Sequence, residues 1–224
     1  MKKESMITMK KIDTVLFDFD GTIMDTNDII LQSWQHTFRT LENREEDESI
    51  LTATFGEPLN KTIARFFPKV PVEESIEIYR DFQRENFREL ITLFPGMKEL
   101  VMKLKACGYK TGLVTSRLRN TAMEGLEKFD MTKYFDVIVT PEDTDKHKPD
   151  PEPVNIALER LGSEASSSVM LGDTMFDILC ARNAGVSPIL VSWSLALEGK
   201  TKEDLGDDAP DHIIHTAEEL FEII

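Results

Sequence analysis

Five short apolar runs punctuate the chain: Thr14–Asp18, Thr111–Thr115, Asp136–Thr140, Ser168–Gly172 and Pro188–Ser192. None alternates strictly between apolar and polar residues, which suits a strand covered on both faces rather than on one. Stretches with apolar residues at helical spacing lie between them. Met97, Leu100, Val101 and Leu104 share one helix face and Gly108 follows as a stop. Val154, Leu158 and Leu161 repeat the pattern before Gly162, and Ile178, Leu179 and Arg182 run toward Gly185. Strands that bury both faces, alternating with helices that bury one, predict an α/β fold with a doubly wound parallel sheet.

The rhythm breaks once. Between the first and second runs lie roughly ninety residues, far more than one crossover helix requires. Ile30, Trp34, Phe38 and Leu41 mark one helix in this interval; Ile76, Tyr79, Phe82, Phe87 and Leu90 mark another. The charge runs Glu42 to Glu48 and Glu73-Glu74 are most simply solvated turns between helices. The expected organisation is a core of residues 1–24 and 91–224, with an all-helical cap inserted at 25–90. The two crossings, Thr22–Asp25 and Ile91–Gly96, are candidate hinges. A lid placed there covers the carboxyl end of the first strand, where such sheets bind ligands.

The formal net charge is −15, and charged residues make up 30% of the chain. That balance disfavours nucleic acid and anionic membrane, both of which are bound chiefly through Lys and Arg clusters. An anionic substrate then needs a local positive site. Cys107 and Cys180 fall in helical stretches with no C-x-x-C partner, and the simple reading is a reduced thiol packed as a small hydrophobe. Met1 to Lys11 is basic without the apolar run of a signal segment, and no stretch approaches the ~20 apolar residues of a membrane span. A cytoplasmic location is expected.

The first run leads into Asp18-Phe19-Asp20-Gly21-Thr22. Residues i and i+2 of an extended chain project to the same side, so two carboxylates meet at one sheet edge while Phe19 points elsewhere. Gly21 permits a sharp exit that a side chain would obstruct. Such a pair is costly unless a cation or a shared proton relieves it; alone, it also reads as a turn with capping acids. An EF-hand fits poorly, with glycine at the wrong position and no late glutamate. Three further features stand at the ends of later runs. Thr115-Ser116 offers a hydroxyl and backbone amides suited to phosphate oxygens, or an ordinary helix cap. Lys148 precedes the stiff Pro149-Asp150-Pro151, or is one more surface lysine. Asp173 and Asp177, in Gly172-Asp-Thr-Met-Phe-Asp177, suit a metal ligand and its orienting partner, or a favoured charge at a helix N-terminus.

Four polar features at the carboxyl ends of apolar strands, in this order, make the set. It resembles the haloacid dehalogenase-like (HAD) superfamily of phosphohydrolases from Ile12 to the end of the chain. The insertion after the first motif is similar to that family's small helical cap on a Rossmann-like core. The resemblance implies Asp18 as nucleophile, Asp20 as general acid and base, and Thr115, Ser116 and Lys148 as the groups that hold the transferred phosphoryl. It implies a Mg²⁺ cofactor on Asp18, the backbone carbonyl of Asp20, and Asp173, with Asp177 supporting from behind. Asp20 separates the chain from the superfamily's dehalogenases, which lack a second aspartate there, and from its cation pumps.

Within that family the chain is most similar to small-substrate phosphatases, phosphoglycolate phosphatase and an inorganic pyrophosphatase among them. Asp25-Thr-Asn-Asp28, His147-Lys-Pro-Asp-Pro-Glu-Pro153 and Val191-Ser-Trp193 resemble the latter. Phe55-Gly-Glu-Pro-Leu59 resembles the phosphatases' specificity loop, and Pro58 also suits the start of a helix from Leu59 to Phe66. Gly56, Lys61 and Arg65 are the cap's candidates to meet the substrate, with a solvated helix face the simpler place for the two basic residues. The expected activity is Mg²⁺-dependent hydrolysis of a small phosphorylated metabolite, a phosphoglycolate-type monoester or pyrophosphate, through an aspartyl-phosphate. The alternatives are a β-phosphoglucomutase-like phosphomutase and an idle regulatory binding protein. The expected partner is the small substrate alone, with no nucleic acid and no membrane; the sequence leaves any oligomer open.

Overall fold

The structure, a computed structural model, describes residues 11–197, 203 and 205–224. The reading of the N-terminal stretch as free of a signal segment falls, up to Lys10, outside the described residues. In chain order the elements begin with β1 (Thr14–Phe17), β2 (Met24–Asp25), α1 (Asn27–Glu42), α2 (Glu48–Thr52), α3 (Leu59–Phe66) and α4 (Val72–Leu90). There follow β3 (Thr92–Leu93), α5 (Met97–Ala106), β4 (Lys110–Val114), α6 (Arg119–Lys128) and β5 (Val137–Val139). The chain closes with α7 (Glu152–Leu161), β6 (Ser168–Gly172), α8 (Met175–Asn183), β7 (Ser187–Val191) and β8 (His212–Ile214), joined by short 3₁₀ turns.

Six strands form one parallel sheet in the order β5-β4-β1-β6-β7-β8. All five apolar runs lie in it, within a residue or two of their expected bounds. β1 sits inside, with Phe17 level with Leu113 of β4 on one side and Leu171 of β6 on the other. The chain winds outward through β4 and β5, then returns across β1 to β6. That reversal of direction opens a crevice at the carboxyl ends of the central strands.

The absence of polar alternation has its reason in the core. Val15 and Phe17 of β1 join a cluster with Met97, Leu100 and Leu104 of α5 and Leu126 of α6. Leu16, between them, points the other way, into a cluster with Val154 and Leu158 of α7 and Ala181 of α8. Both faces of the sheet are therefore dry. Leu16 is fully buried, and Leu16→Ala should cost about 2–5 kcal/mol, read from the urea unfolding midpoint.

Helices α1 to α4 form a separate helical layer around Trp34, Phe38, Leu51, Ile63, Phe67 and Tyr79. Trp34 meets Phe66 edge-on at 5.3 Å and Tyr79 at 4.8 Å. β2 and β3 pair antiparallel, Met24 with Leu93 and Asp25 with Thr92, so the two chain crossings are bonded to each other.

Four expectations need correction. Glu73 and Glu74 lie in the first turn of α4, where the helix dipole favours them, rather than in a turn between helices. Glu48 likewise opens α2, capped by the Asp47 side chain on the Ser49 amide. Cys107 follows α5 and is exposed; only Cys180 is packed away. β8 was not expected at all. Among the described residues no helix is long and apolar enough to cross a membrane.

Candidate active site

The ladder of β1 continues one residue beyond its end: the Asp18 amide donates to Leu171 O at 2.9 Å. This fixes the Asp18 side chain at the mouth of the crevice, beside the end of β6. The chain then turns at Gly21 with φ 73°, and the Gly21 amide donates to Met24 O. Asp18 is 7% exposed. Its Oδ1 accepts from Lys148 Nζ at 2.6 Å, and the same ammonium donates to Asp177 Oδ1 at 2.6 Å. Asp177 Oδ2 accepts from the Thr174 amide and hydroxyl, closing a capping box at the start of α8. Asp173 Oδ2 accepts from Ser194 Oγ at 2.6 Å. Carboxylate oxygens of Asp18, Asp173 and Asp177 lie within 4.8 Å of one another, all three residues buried.

The electrostatics of this cluster are strained. Burial, together with the charges of Asp177 and Asp20, outweighs the opposing Lys148 and pushes the Asp18 carboxyl up to about 7. Burial and the charges of Asp177 and Asp18 hold Asp173 well above the usual carboxylate range. Burial by itself would lower the Lys148 ammonium, but Asp177 and Asp18 more than offset it and raise it. Three carboxylates face one ammonium, so the cluster lacks about two positive charges for neutrality. A hard divalent cation fits that deficit and that all-oxygen donor set. Asp177 has both oxygens committed to Lys148 and Thr174. Asp18 Oδ2 and Asp173 Oδ1 accept no hydrogen bond from any described residue and are the oxygens left for an ion.

Asp20 stands outside this cluster. Its carboxylate is gripped by Arg117, whose Nε lies 2.9 Å from both oxygens and whose Nη2 lies 2.7 Å from Oδ1. The Arg117 side chain is 8% exposed and lies over the Phe87 ring at 4.5 Å. Thr115 is buried and is not among the lining residues of the crevice; its hydroxyl oxygen accepts from the Arg117 amide at 3.0 Å and keeps its O–H to donate. Ser116 does line the crevice. Neither residue caps α6, which starts after Leu118 with no side-chain cap.

Sequence reasoning missed two partners. Arg117 directly follows Thr115-Ser116, and its place in that loop was the available signal. Ser194 follows the Val191-Ser-Trp193 stretch singled out above; beside it Trp193 Nε1 donates to Thr22 O at 3.1 Å.

Above the cluster, between sheet and helical layer, lies a cavity of about 260 Å³. Asp18, Asp20, Ser116, Lys148, Asp173 and Asp177 line its floor, while Trp34, Gly56, Glu57, Tyr79 and Arg80 belong to the helical side. Gly56 thus reaches the cavity. Arg65 is instead exposed and paired to Glu57 at 2.8 Å, and Lys61 is exposed, on the solvated face where both were expected.

A 41% identical protein of Caldanaerobacter subterraneus subsp. tengcongensis, provisionally named pyrophosphatase PpaX, aligns over 96% of this chain and 95% of its own length. Pyrophosphatase PpaX of Halalkalibacterium halodurans is 34% identical over 96% of this chain and 97% of its own. A solved structure of a haloacid dehalogenase-like family hydrolase from Streptococcus pneumoniae superposes with a TM-score of 0.84 at 25% identity, covering 95% of this chain and 98% of that one. The family model described as haloacid dehalogenase-like hydrolase matches residues 15–191, a span that runs from β1 to the end of β7 and holds Asp18, Lys148 and Asp173. With that model matched over residues 15–191 and relatives aligned along nearly their whole length, the chain belongs to the haloacid dehalogenase-like hydrolase family.

Proposed function

We propose that this protein is a Mg²⁺-dependent phosphatase that hydrolyses a small phosphorylated substrate, pyrophosphate or a phosphoglycolate-type monoester, through an aspartyl-phosphate on Asp18. The observation that carries the reading is the buried Asp18 carboxylate, steered by Lys148 at 2.6 Å and surrounded by further carboxylates at the mouth of the crevice. The two relatives named as pyrophosphatases support the choice of a small phosphoanhydride. Residues 25–90 act in this reading as a cap domain that closes over the site and excludes bulk water. A closed lid of this size leaves no path for a phosphoprotein or a polynucleotide.

One oxygen of Asp18 attacks phosphorus in line as the bond from phosphorus to the leaving oxygen breaks. Lys148 holds the attacking carboxylate in its rotamer and offers a positive charge to the equatorial oxygens. Ser116, through its amide and hydroxyl, holds another of those oxygens, and Thr115 sets the loop that carries it. Asp20, once it leaves its ion pair with Arg117 and takes up a proton from solvent, gives that proton to the leaving oxygen, then takes one from the water that attacks the aspartyl-phosphate, releasing inorganic phosphate and restoring Asp18. Asp18, Asp173 and the Asp20 carbonyl would hold the cation, with Asp177 positioning Lys148. When bound, the cation supplies charge that offsets the phosphoryl group and the carboxylates crowded around it.

The test is phosphate release from pyrophosphate and phosphoglycolate, with Mg²⁺ and with excess chelator, beside acid-quenched labelling of the Asp20→Asn variant. Turnover only with Mg²⁺, and a hydroxylamine-labile phosphoryl group on the Asn variant, are the expected results. Full activity in chelator, or hydrolysis with no labelled enzyme at any time point, overturns the reading.

A further inference from the structure

Four cationic side chains line the cavity: Arg80, Arg84, Arg117 and Lys148. Lys148 is matched by two carboxylates, and Arg84 pairs with Glu77 and Asp81 on its own helix. Arg117 is matched by Asp20, but only through Nε and Nη2; its Nη1 makes no hydrogen bond with any described residue. Arg80, half-buried on α4, makes no hydrogen bond or ion pair with any described residue. In a chain with net charge −15, an arginine on a cavity wall with no partner among the described residues stands out.

The placement is directional. Arg80, Gln83 and Arg84 fall at i, i+3 and i+4 of α4 and so share the face that lines the cavity. Asn120 and Thr121 of α6 add uncharged polar groups to the lining. The carboxylate cluster and Lys148 belong to the sheet side, so the unspent donors of Arg80 belong to the helical side, where the part of the substrate that departs must sit. Ile30, Trp34 and Leu59 make part of the same lining apolar, and an anionic group on the ligand would give the Arg80 guanidinium a partner that no described residue supplies.

We propose that Arg80 together with Nη1 of Arg117 forms the subsite that holds the anionic group on the departing part of such a substrate, whether a second phosphoryl or a carboxylate. This rests on the phosphatase reading for the word departing, but the subsite itself is a binding property. Arg117 then has two tasks: it keeps the Asp20 carboxylate in place and it meets the group that Asp20 serves. Arg80 determines specificity, favouring doubly anionic compounds over phosphomonoesters of neutral alcohols. A guanidinium matches either a phosphoryl or a carboxylate in geometry, so the two sources are separated by experiment.

The experiment is calorimetric binding of three inert phosphonates to the full chain in Mg²⁺: methylphosphonate, methylenediphosphonate and phosphonoacetate. At least one of the two dianionic-headed compounds should bind about tenfold or more tightly than methylphosphonate, and which one does so names the second group. Arg80→Gln should remove most of that ratio, and Arg80→Lys should restore part of it. Equal affinity for all three, or a ratio that survives both Arg80→Gln and Arg117→Gln in folded protein, overturns the subsite. Turnover is measured in parallel on pyrophosphate and on an aryl phosphate. Arg80-dependent binding without turnover of either leaves the subsite standing and removes the phosphatase reading. Turnover of the aryl phosphate with a flat binding ratio does the reverse.

Discussion

Asp18→Asn should lower kcat by at least about a thousand-fold while leaving the chain folded, because it removes the attacking oxyanion and almost no volume. The same substitution should steady the metal-free protein. In the folded chain Asp18 is pushed up to about 7, from an unfolded value near 3.9, chiefly by burial and by its acidic neighbours. Between those two values the folded state binds more protons than the unfolded one, so stability falls as pH rises through the window. In excess chelator the wild type should therefore be less stable at pH 8 than at pH 5.5, by a few kcal/mol at most, and Asp173 should add to the slope in the same direction. The Asn variant should show a shallower slope and a higher midpoint at pH 8. Chemical unfolding at the two pH values, beside phosphate release, reads both effects. More than a few per cent of residual turnover removes Asp18 from the nucleophile role.

Such a trade of stability for function explains what the sequence disclosed and what it hid. The five strands were visible because burial on both faces leaves a run of apolar residues that no surface element needs; Val15, Leu16 and Phe17 are each fully buried. β8 was hidden because His212-Ile-Ile214 is short and half exposed, and is a strand only by its pairing to β7. The acidic and lysine residues stood out as polar groups at apolar strand ends, and the fold brings Asp18 to Lys148 across 130 positions of sequence. Arg117 reaches Asp20 across 97 positions, and nothing local to either residue encodes that meeting. The same holds for Ser194, 21 positions beyond the Asp173 it supports. Thr115 shows the opposite case. Its type and place suggest a phosphate ligand, and its hydroxyl oxygen accepts from the Arg117 amide two residues ahead, a local bond that leaves the O–H free to donate. Residue type at a strand end was enough for groups whose charge would be intolerable elsewhere. It was not enough for groups whose partner lies on another loop.

Gly21 was read as the residue that permits a sharp exit from β1, and the structure adds what stands in the way of anything larger. A Cβ at Gly21 would lie 2.0 Å from Asp173 Oδ2 and 2.9 Å from Ser194 Oγ. Its φ of 73° is also costly for an L side chain. Gly21→Ala must therefore either shift the chain between Asp18 and Asp20 or turn Asp173 away from Asp18. Either movement breaks up the oxygens assigned to the cation, so kcat/KM should fall about a hundred-fold or more and the Mg²⁺ concentration needed for half activity should rise. Gly108 is the control. It has a φ of 86° and nothing within 4 Å of the added carbon, so Gly108→Ala carries the backbone strain without the collision. Both variants should lose about 1–3 kcal/mol of stability from that strain, and only Gly21→Ala should lose activity and Mg²⁺ affinity with it. If the two fall equally in kcat/KM, backbone strain alone accounts for the loss. If neither falls, Asp173 does not need the place in which the turn at Gly21 leaves it.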